Sequence, residues 1–277
     1  MQVRTVAGAG GVNLVYDRLG PDRGPPVILL HGGGQTRSSW GALAATLAGE
    51  GYQVSSVDLR GHGDSDWAPD SDYGFSSYRD DVRALLAQLE QPPILIGASL
   101  GGLTALLAVA EPPPVPARAL VLVDITPWIN PAETGRIAEF MLARPEGFVD
   151  LEDAARSVAE YLPHRSRRDD LSGLQRSLKV AADGRLKWHW DPAIMNRADD
   201  LDARTERLVA AARRVRIPTL LVRGALSRIV TPAHVQALSQ IVDGLQVVEV
   251  ADAGHMVAGD SNEAFDRAIV QFLRSVG

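Results

Sequence analysis

Hydrophobic positions in this chain come in short, nearly unbroken runs, and the stretches between several of them carry apolar residues at helical spacing. The runs are Val27-Ile28-Leu29-Leu30, Val54-Ser55-Ser56-Val57, Ile94-Leu95-Ile96 and Ala119-Leu120-Val121-Leu122-Val123, followed after a gap by Thr219-Leu220-Leu221-Val222 and Gln246-Val247-Val248-Glu249-Val250. A strand exposed on one face alternates apolar with polar residues. Runs that do not alternate belong to strands covered on both faces, with helices serving as the crossovers of a parallel sheet. Two earlier segments, around Val3 to Val6 and Val12 to Arg18, are expected to add an antiparallel edge. The fold class is α/β, a mostly parallel central sheet with helices on both faces.

From Pro127 to about Arg214 the rhythm stops. No strand-like run occurs there, and charged residues lie on helix-compatible patterns such as Glu152-Asp153-Ala154-Ala155-Arg156-Ser157-Val158-Ala159. The expectation is a helical cap over 127–214, inserted into a core built from 1–126 and 215–277. Within it, Trp188-His189-Trp190-Asp191-Pro192 is the densest aromatic cluster of a chain that is only 5% aromatic. These rings either dock the cap on the core or form a pocket wall.

Composition narrows the partners. At 277 residues and 45% hydrophobic content, the chain can bury one large core and still carry an insertion. Lys and Arg number 28 against 34 Asp and Glu, a net charge of −6, opposite in sign to what phosphate neutralisation needs. The expected partner is a small-molecule substrate and not nucleic acid. With no cysteine, any nucleophile must be oxygen or nitrogen, and a reducing compartment fits. Arg4 is followed by Val6-Ala7-Gly8-Ala9-Gly10-Gly11 instead of an apolar secretory core, so the expected location is the cytoplasm. The uncharged stretch from Pro92 to Ala110 approaches membrane-spanning length, but Gly97, Gly101 and Gly102 divide it into a strand, a tight turn and a helix.

That division holds the first chemical motif. Gly97-Ala98-Ser99-Leu100-Gly101 follows a strand and opens a helix, the setting in which G-x-S-x-G marks a nucleophile. Small residues flank Ser99 because larger ones would collide with backbone in so sharp a turn, which exposes the hydroxyl and aims helix N–H groups at an incoming oxyanion. His31-Gly32-Gly33-Gly34 closes the neighbouring strand. Its glycines leave N–H groups free, and Gly33 with Leu100 would form a two-donor oxyanion hole. A Ser nucleophile needs a base, and of six histidines His255, beyond the last strand, is the one that chain order favours. His31 reads as a structural hydrogen-bonding residue and His62 as a loop stabiliser.

Together, Val27 to Gly34, Asp58-Leu59-Arg60-Gly61-His62-Gly63-Asp64-Ser65, Gly97 to Gly102 and Ala253-Gly254-His255 resemble the α/β-hydrolase family. Within it the likeness is to the cap-bearing esterases, epoxide hydrolases and non-haem peroxidases. The resemblance implies the α/β-hydrolase fold and an acid that orients the histidine, usually an Asp in the loop after the penultimate core strand. Here that loop is Arg223-Gly224-Ala225-Leu226-Ser227-Arg228-Ile229-Val230-Thr231-Pro232, with Arg228 at the expected position. A guanidinium there could not accept the imidazole N–H and would oppose an imidazolium. Some relatives carry the acid at the end of the strand after the nucleophile helix, which here is Asp124. The expected triad is Ser99, His255 and Asp124.

Ser99 in place of an elbow Asp argues against epoxide hydrolase and dehalogenase chemistry within this resemblance. It favours cleavage of a carboxylic ester or lactone through an acyl-enzyme, without cofactor or metal, with Trp128, Trp188 and Trp190 as candidate pocket residues. Two alternatives share the same residues. One is a hydrolase-fold binding or signalling protein with weak turnover, motivated by Arg228; the other is perhydrolase or peroxidase-like acyl transfer.

Overall fold

The computed structural model describes residues 1–128, 130–161, 171–196, 200–251, 253–255 and 262–276. Its core is an eight-stranded sheet of β1 (Gln2–Ala7), β2 (Asn13–Leu19), β3 (Pro26–Leu30), β4 (Gln53–Val57), β5 (Ile94–Ala98), β6 (Ala119–Val123), β9 (Thr219–Gly224) and β10 (Gln246–Val250). The spatial order is β1-β2-β4-β3-β5-β6-β9-β10. β2 pairs antiparallel with both β1 and β4, and the remaining pairs are parallel. The N-terminal antiparallel edge is therefore present.

Unbroken apolar runs have a direct explanation in the packing. Val27 and Leu29 enter one core cluster while Ile28 and Leu30 enter another, and Val121 and Val123 part in the same way from Leu120 and Leu122. The period of two is intact, but both faces are covered. Leu43 and Leu47 of α1 (Gly41–Gly49) and Phe265, Ile269 and Phe272 of α9 (Asn262–Ser275) cover one face. The other is covered by α2 (Phe75–Leu86), α3 (Leu100–Ala110), α7 (Leu201–Ala212) and α8 (Pro232–Ser239). The uncharged stretch from Pro92 to Ala110 supplies β5 and α3. Among the described residues no helix is long and apolar enough to cross a membrane.

Between β6 and β9 lie α4 (Pro131–Leu142), α5 (Leu151–Tyr161), α6 (Ser172–Gln175), β7 (Leu178–Val180), β8 (Leu186–Trp188) and α7. The insertion is thus not wholly helical, because β7 and β8 form an antiparallel hairpin with Leu178 opposite Trp188. Its signal was the Asp183-Gly184 pair, with Gly184 at φ 80, a turn that only a residue without Cβ enters cheaply. The strands are too short to register as apolar runs.

At its far end the insertion is anchored by Glu111. Its carboxylate accepts from Arg207 Nε (2.6 Å) and Nη2 (2.9 Å) on α7 and from Arg79 Nη1 (2.5 Å) on α2. The Arg207 contact, followed by that of Arg79, holds the carboxyl down to about 2. A depressed carboxylate stabilises the fold fully above its unfolded value and loses that contribution as pH falls through the folded one. We expect the urea midpoint to fall between about pH 4.5 and 2, with this component absent in Glu111→Gln. An identical pH dependence in the variant would refute the assignment.

Sheet order also fixes where chemistry can occur. From β3 the chain turns to β4 on one side, then returns to β5 on the other. The loops after β3 and β5 therefore part at the switch point, the crevice where open α/β sheets hold ligands.

Candidate active site

Ser99 sits between β5 and α3 at φ 46 and ψ −114, a left-handed conformation that costs a non-glycine residue on the order of 1–3 kcal/mol. Its N–H donates to Val123 O (3.2 Å) and its carbonyl accepts from Leu103 N (3.0 Å). A Cβ on Gly97 would strike the backbone of Gly101, one on Gly101 would strike Leu30 O, and one on Gly102 would lie 2.5 Å from Ile125 Cγ2. The glycine spacing is thus a packing requirement of the turn.

Across the crevice lies the His31–Gly34 loop. A Cβ on Gly32 would stand 3.4 Å from Ser99 Cβ. Gly32 N–H is engaged by Gln35 Oε1 (2.9 Å), Gly34 N–H by His62 Nε2 (3.2 Å) and Gly101 N–H by His31 O (3.1 Å). The N–H groups of Gly33 and Leu100 have no partner among the described residues. Space around Gly33 is open, and a Cβ placed there would meet no described atom within 4 Å.

His31 is fully buried, and burial pushes its imidazole down to about 4. Its Nδ1 faces Gly32 O (2.8 Å) and its Nε2 receives Leu59 N–H (3.0 Å). Those partners assign the neutral Nδ1–H tautomer, a brace rather than a base. Asp58, also fully buried, accepts from Arg37 N (2.6 Å), the Arg37 guanidinium and Asp64 N (2.9 Å). It organises the loop after β4.

Asp124 ends β6 at φ 47, completely buried. Its Oδ2 lies 2.8 Å from His255 Nδ1, in the loop beyond β10. The same oxygen accepts from Ser227 Oγ (2.5 Å), and Oδ1 accepts from Gly224 N (3.2 Å). Ser227 is in turn held by the N–H groups of Ile229 and Val230, each at 3.2 Å. The structure therefore joins Asp124 to His255. The Ser99 hydroxyl makes no hydrogen bond among the described residues, so its contact with His255 is not closed here.

The expected conflict at Arg228 does not arise. Arg228 is exposed and forms no ion pair among the described residues, while the side chain of that loop facing the Asp–His pair is Ser227. The loop turns sharply after Gly224, so direction is set by the turn and not by strand alternation. Sequence reasoning missed Ser227, although it is the immediate neighbour of Arg228.

Of the three tryptophans, Trp190 reaches the site: its Cζ3 lies 3.5 Å from the Cβ position of Gly34, beside Met141 Cε at 3.2 Å. Met141 was not singled out by the sequence pattern. Trp188 stacks behind Trp190 (4.8 Å between centroids) against Phe148 and Phe140. Trp128 is half-buried against the same apolar cluster. Among the described residues no three His, Asp or Glu side chains gather as a metal-holding group.

In comparison with known proteins, the alpha/beta hydrolase fold family matches residues 25–261. The chain belongs to the α/β-hydrolase family. This α/β hydrolase is 31% identical over 259 residues to the 2-(acetamidomethylene)succinate hydrolase of Mesorhizobium japonicum, covering 90% of this chain and 88% of that protein. It is 30% identical over 267 residues to the sn-1-specific diacylglycerol lipase ABHD11 of Mus musculus, covering 90% and 81%. The crystal structure of an E-2-(acetamidomethylene)succinate hydrolase matches with a TM-score of 0.82 at 28% identity, over 99% of each chain. The relatives are hydrolases, and hydrolysis is the activity class of this α/β hydrolase.

Proposed function

We propose that the protein is a serine hydrolase that cleaves a carboxylic ester or lactone through an acyl-enzyme on Ser99. The observation that carries the reading is the buried carboxylate on the imidazole, Asp124 Oδ2 to His255 Nδ1 at 2.8 Å, on the sheet edge that also bears the strained Ser99 turn. With Nδ1–H held by Asp124, the lone pair of His255 is on Nε2, the nitrogen that must take the Ser99 proton. Catalysis requires that contact to close as the acyl group enters the crevice.

Ser99 Oγ then bonds to the acyl carbon while its proton passes to His255, and the carbonyl electron pair moves onto oxygen. The unpartnered N–H groups of Gly33 and Leu100 receive that oxyanion. Collapse expels the alcohol, which takes the proton from His255; in a lactone it stays tethered. Water activated by the same imidazole reverses the sequence and frees the acid. Trp190 and Met141, packed on Gly34, would form the apolar wall beside the acyl group.

The test is fluorophosphonate labelling followed by intact mass. One stoichiometric adduct is expected on the wild type and none on Ser99→Ala. No adduct on folded wild-type protein would overturn the reading.

A further inference from the structure

The acid of the site has a neighbour that the chemistry above does not use. Ser227 Oγ lies 2.5 Å from Asp124 Oδ2, the same oxygen that faces His255 Nδ1 at 2.8 Å. A hydroxyl has one proton and two lone pairs. Ile229 N–H and Val230 N–H, each at 3.2 Å, take up the lone pairs. The proton is left for Asp124, so toward the carboxylate this hydroxyl can only donate. A donor on Oδ2 favours the ionised acid, and with it the proton on His255 Nδ1.

Asp124 needs such a donor. It is completely buried, and among the described residues no Lys or Arg pairs with it. An ionised carboxylate taken out of water must be compensated by hydrogen bonds. Besides His255, its donors among the described residues are Ser227 O–H and Gly224 N–H, the latter reaching Oδ1 at a longer 3.2 Å. One bond on each oxygen fixes the plane of the carboxylate, and Ser227 supplies the one at the oxygen that meets the imidazole. Its own position is set by the backbone. Ser227 N–H donates to Gly224 O (3.0 Å), Leu226 N–H donates to Ala253 O (2.9 Å), and Arg223 Nε closes the loop on Val230 O (2.9 Å). A Cβ on Gly224 would stand 2.4 Å from the carbonyl oxygens of Ala253 and Gly254, so the ends of β9 and β10 approach as closely as bare backbone allows. The turn that carries Ser227 is thus fixed to the segment that carries His255.

We propose that Ser227 is a positioning residue: its hydroxyl donates to Asp124 Oδ2, keeps the buried carboxylate ionised and turned toward His255, and so holds the imidazole with its proton on Nδ1. The proposal rests on the serine-hydrolase reading and extends it to a residue outside the triad. Acylation and deacylation both pass a proton through His255. A misaligned acid therefore slows both steps and changes kcat, not KM.

The experiment is a double-mutant cycle of Ser227→Ala, Asp124→Ala and the two combined. Each is assayed for kcat and KM on p-nitrophenyl acetate and for the rate of fluorophosphonate labelling. Ser227→Ala alone is expected to lower kcat and the labelling rate by about tenfold and to leave KM within about threefold. On the Asp124→Ala background the same substitution should change the labelling rate by less than about twofold, because a residue that acts through the carboxylate then has nothing to act on. An unchanged kcat in Ser227→Ala, a fall confined to melting temperature, or equal losses on the two backgrounds would reduce Ser227 to packing of its loop and overturn the proposal. Labelling of the wild type separates the two levels of failure. An unlabelled wild type sinks the serine-hydrolase reading and this proposal with it, whereas a labelled wild type with an unaffected Ser227→Ala sinks the proposal alone.

Discussion

Asp124→Asn is expected to lower kcat by about 10⁴-fold while leaving the fold intact. Three donors converge on this carboxylate: His255 Nδ1–H, Ser227 Oγ–H and Gly224 N–H. An amide cannot satisfy them in either orientation. If its NH2 faces His255, the imidazole must turn Nδ1 into an acceptor and place the proton on Nε2, where it blocks transfer from Ser99. If the NH2 faces Gly224 instead, two donors confront each other in a fully buried site. Steady-state kinetics on p-nitrophenyl acetate, with circular dichroism to monitor folding, check the prediction. A kcat within tenfold of wild type would remove Asp124 from the mechanism. Arg228→Asp is the companion measurement: because Arg228 is exposed, kcat should stay within about twofold, and a large gain would contradict the placement of Ser227 against the acid.

Those two positions mark where the sequence was readable and where it was not. Ser99 and its glycines were legible because the turn leaves no room for other residues, and steric demands are written directly into residue type. Asp124 came through the resemblance, which offers this strand end as a second place for the acid, while the apolar run Ala119-Leu120-Val121-Leu122-Val123 marks where the strand stops. Strand alternation ends at the sheet edge, so loop side-chain direction depends on turn geometry. The resemblance puts Arg228 at the usual place of the acid, whereas the turn directs Ser227 inward. The hairpin of β7 and β8 escaped notice through its length, since three residues cannot establish a period. Met141 and His62 lie far in sequence from the glycine loop they touch, and nothing local announces such contacts.

Asp81→Ala is expected to destabilise the protein by about 3–5 kcal/mol, lowering the melting temperature by on the order of 10 °C. Asp81 on α2 binds Arg60 in a bidentate pair, Nε to Oδ2 at 2.5 Å and Nη2 to Oδ1 at 2.7 Å, with side chains 1% and 3% exposed. Oδ1 also accepts Ala9 N (2.8 Å), and the guanidinium donates to Ala9 O and Asp72 O, each at 3.0 Å. Burial raises the Asp81 carboxyl above its usual range, with Arg60 pulling it back, so desolvation outweighs the attraction. The pair is therefore a weak source of net stability that becomes a large liability once one member is removed, because Arg60 keeps its charge in a site closed to water. The double variant Arg60→Met/Asp81→Leu removes both charges and should recover most of the loss, at the cost of the Ala9 and Asp72 contacts. Equal destabilisation in the single and double variants would mean that shape, and not the orphaned charge, sets the cost.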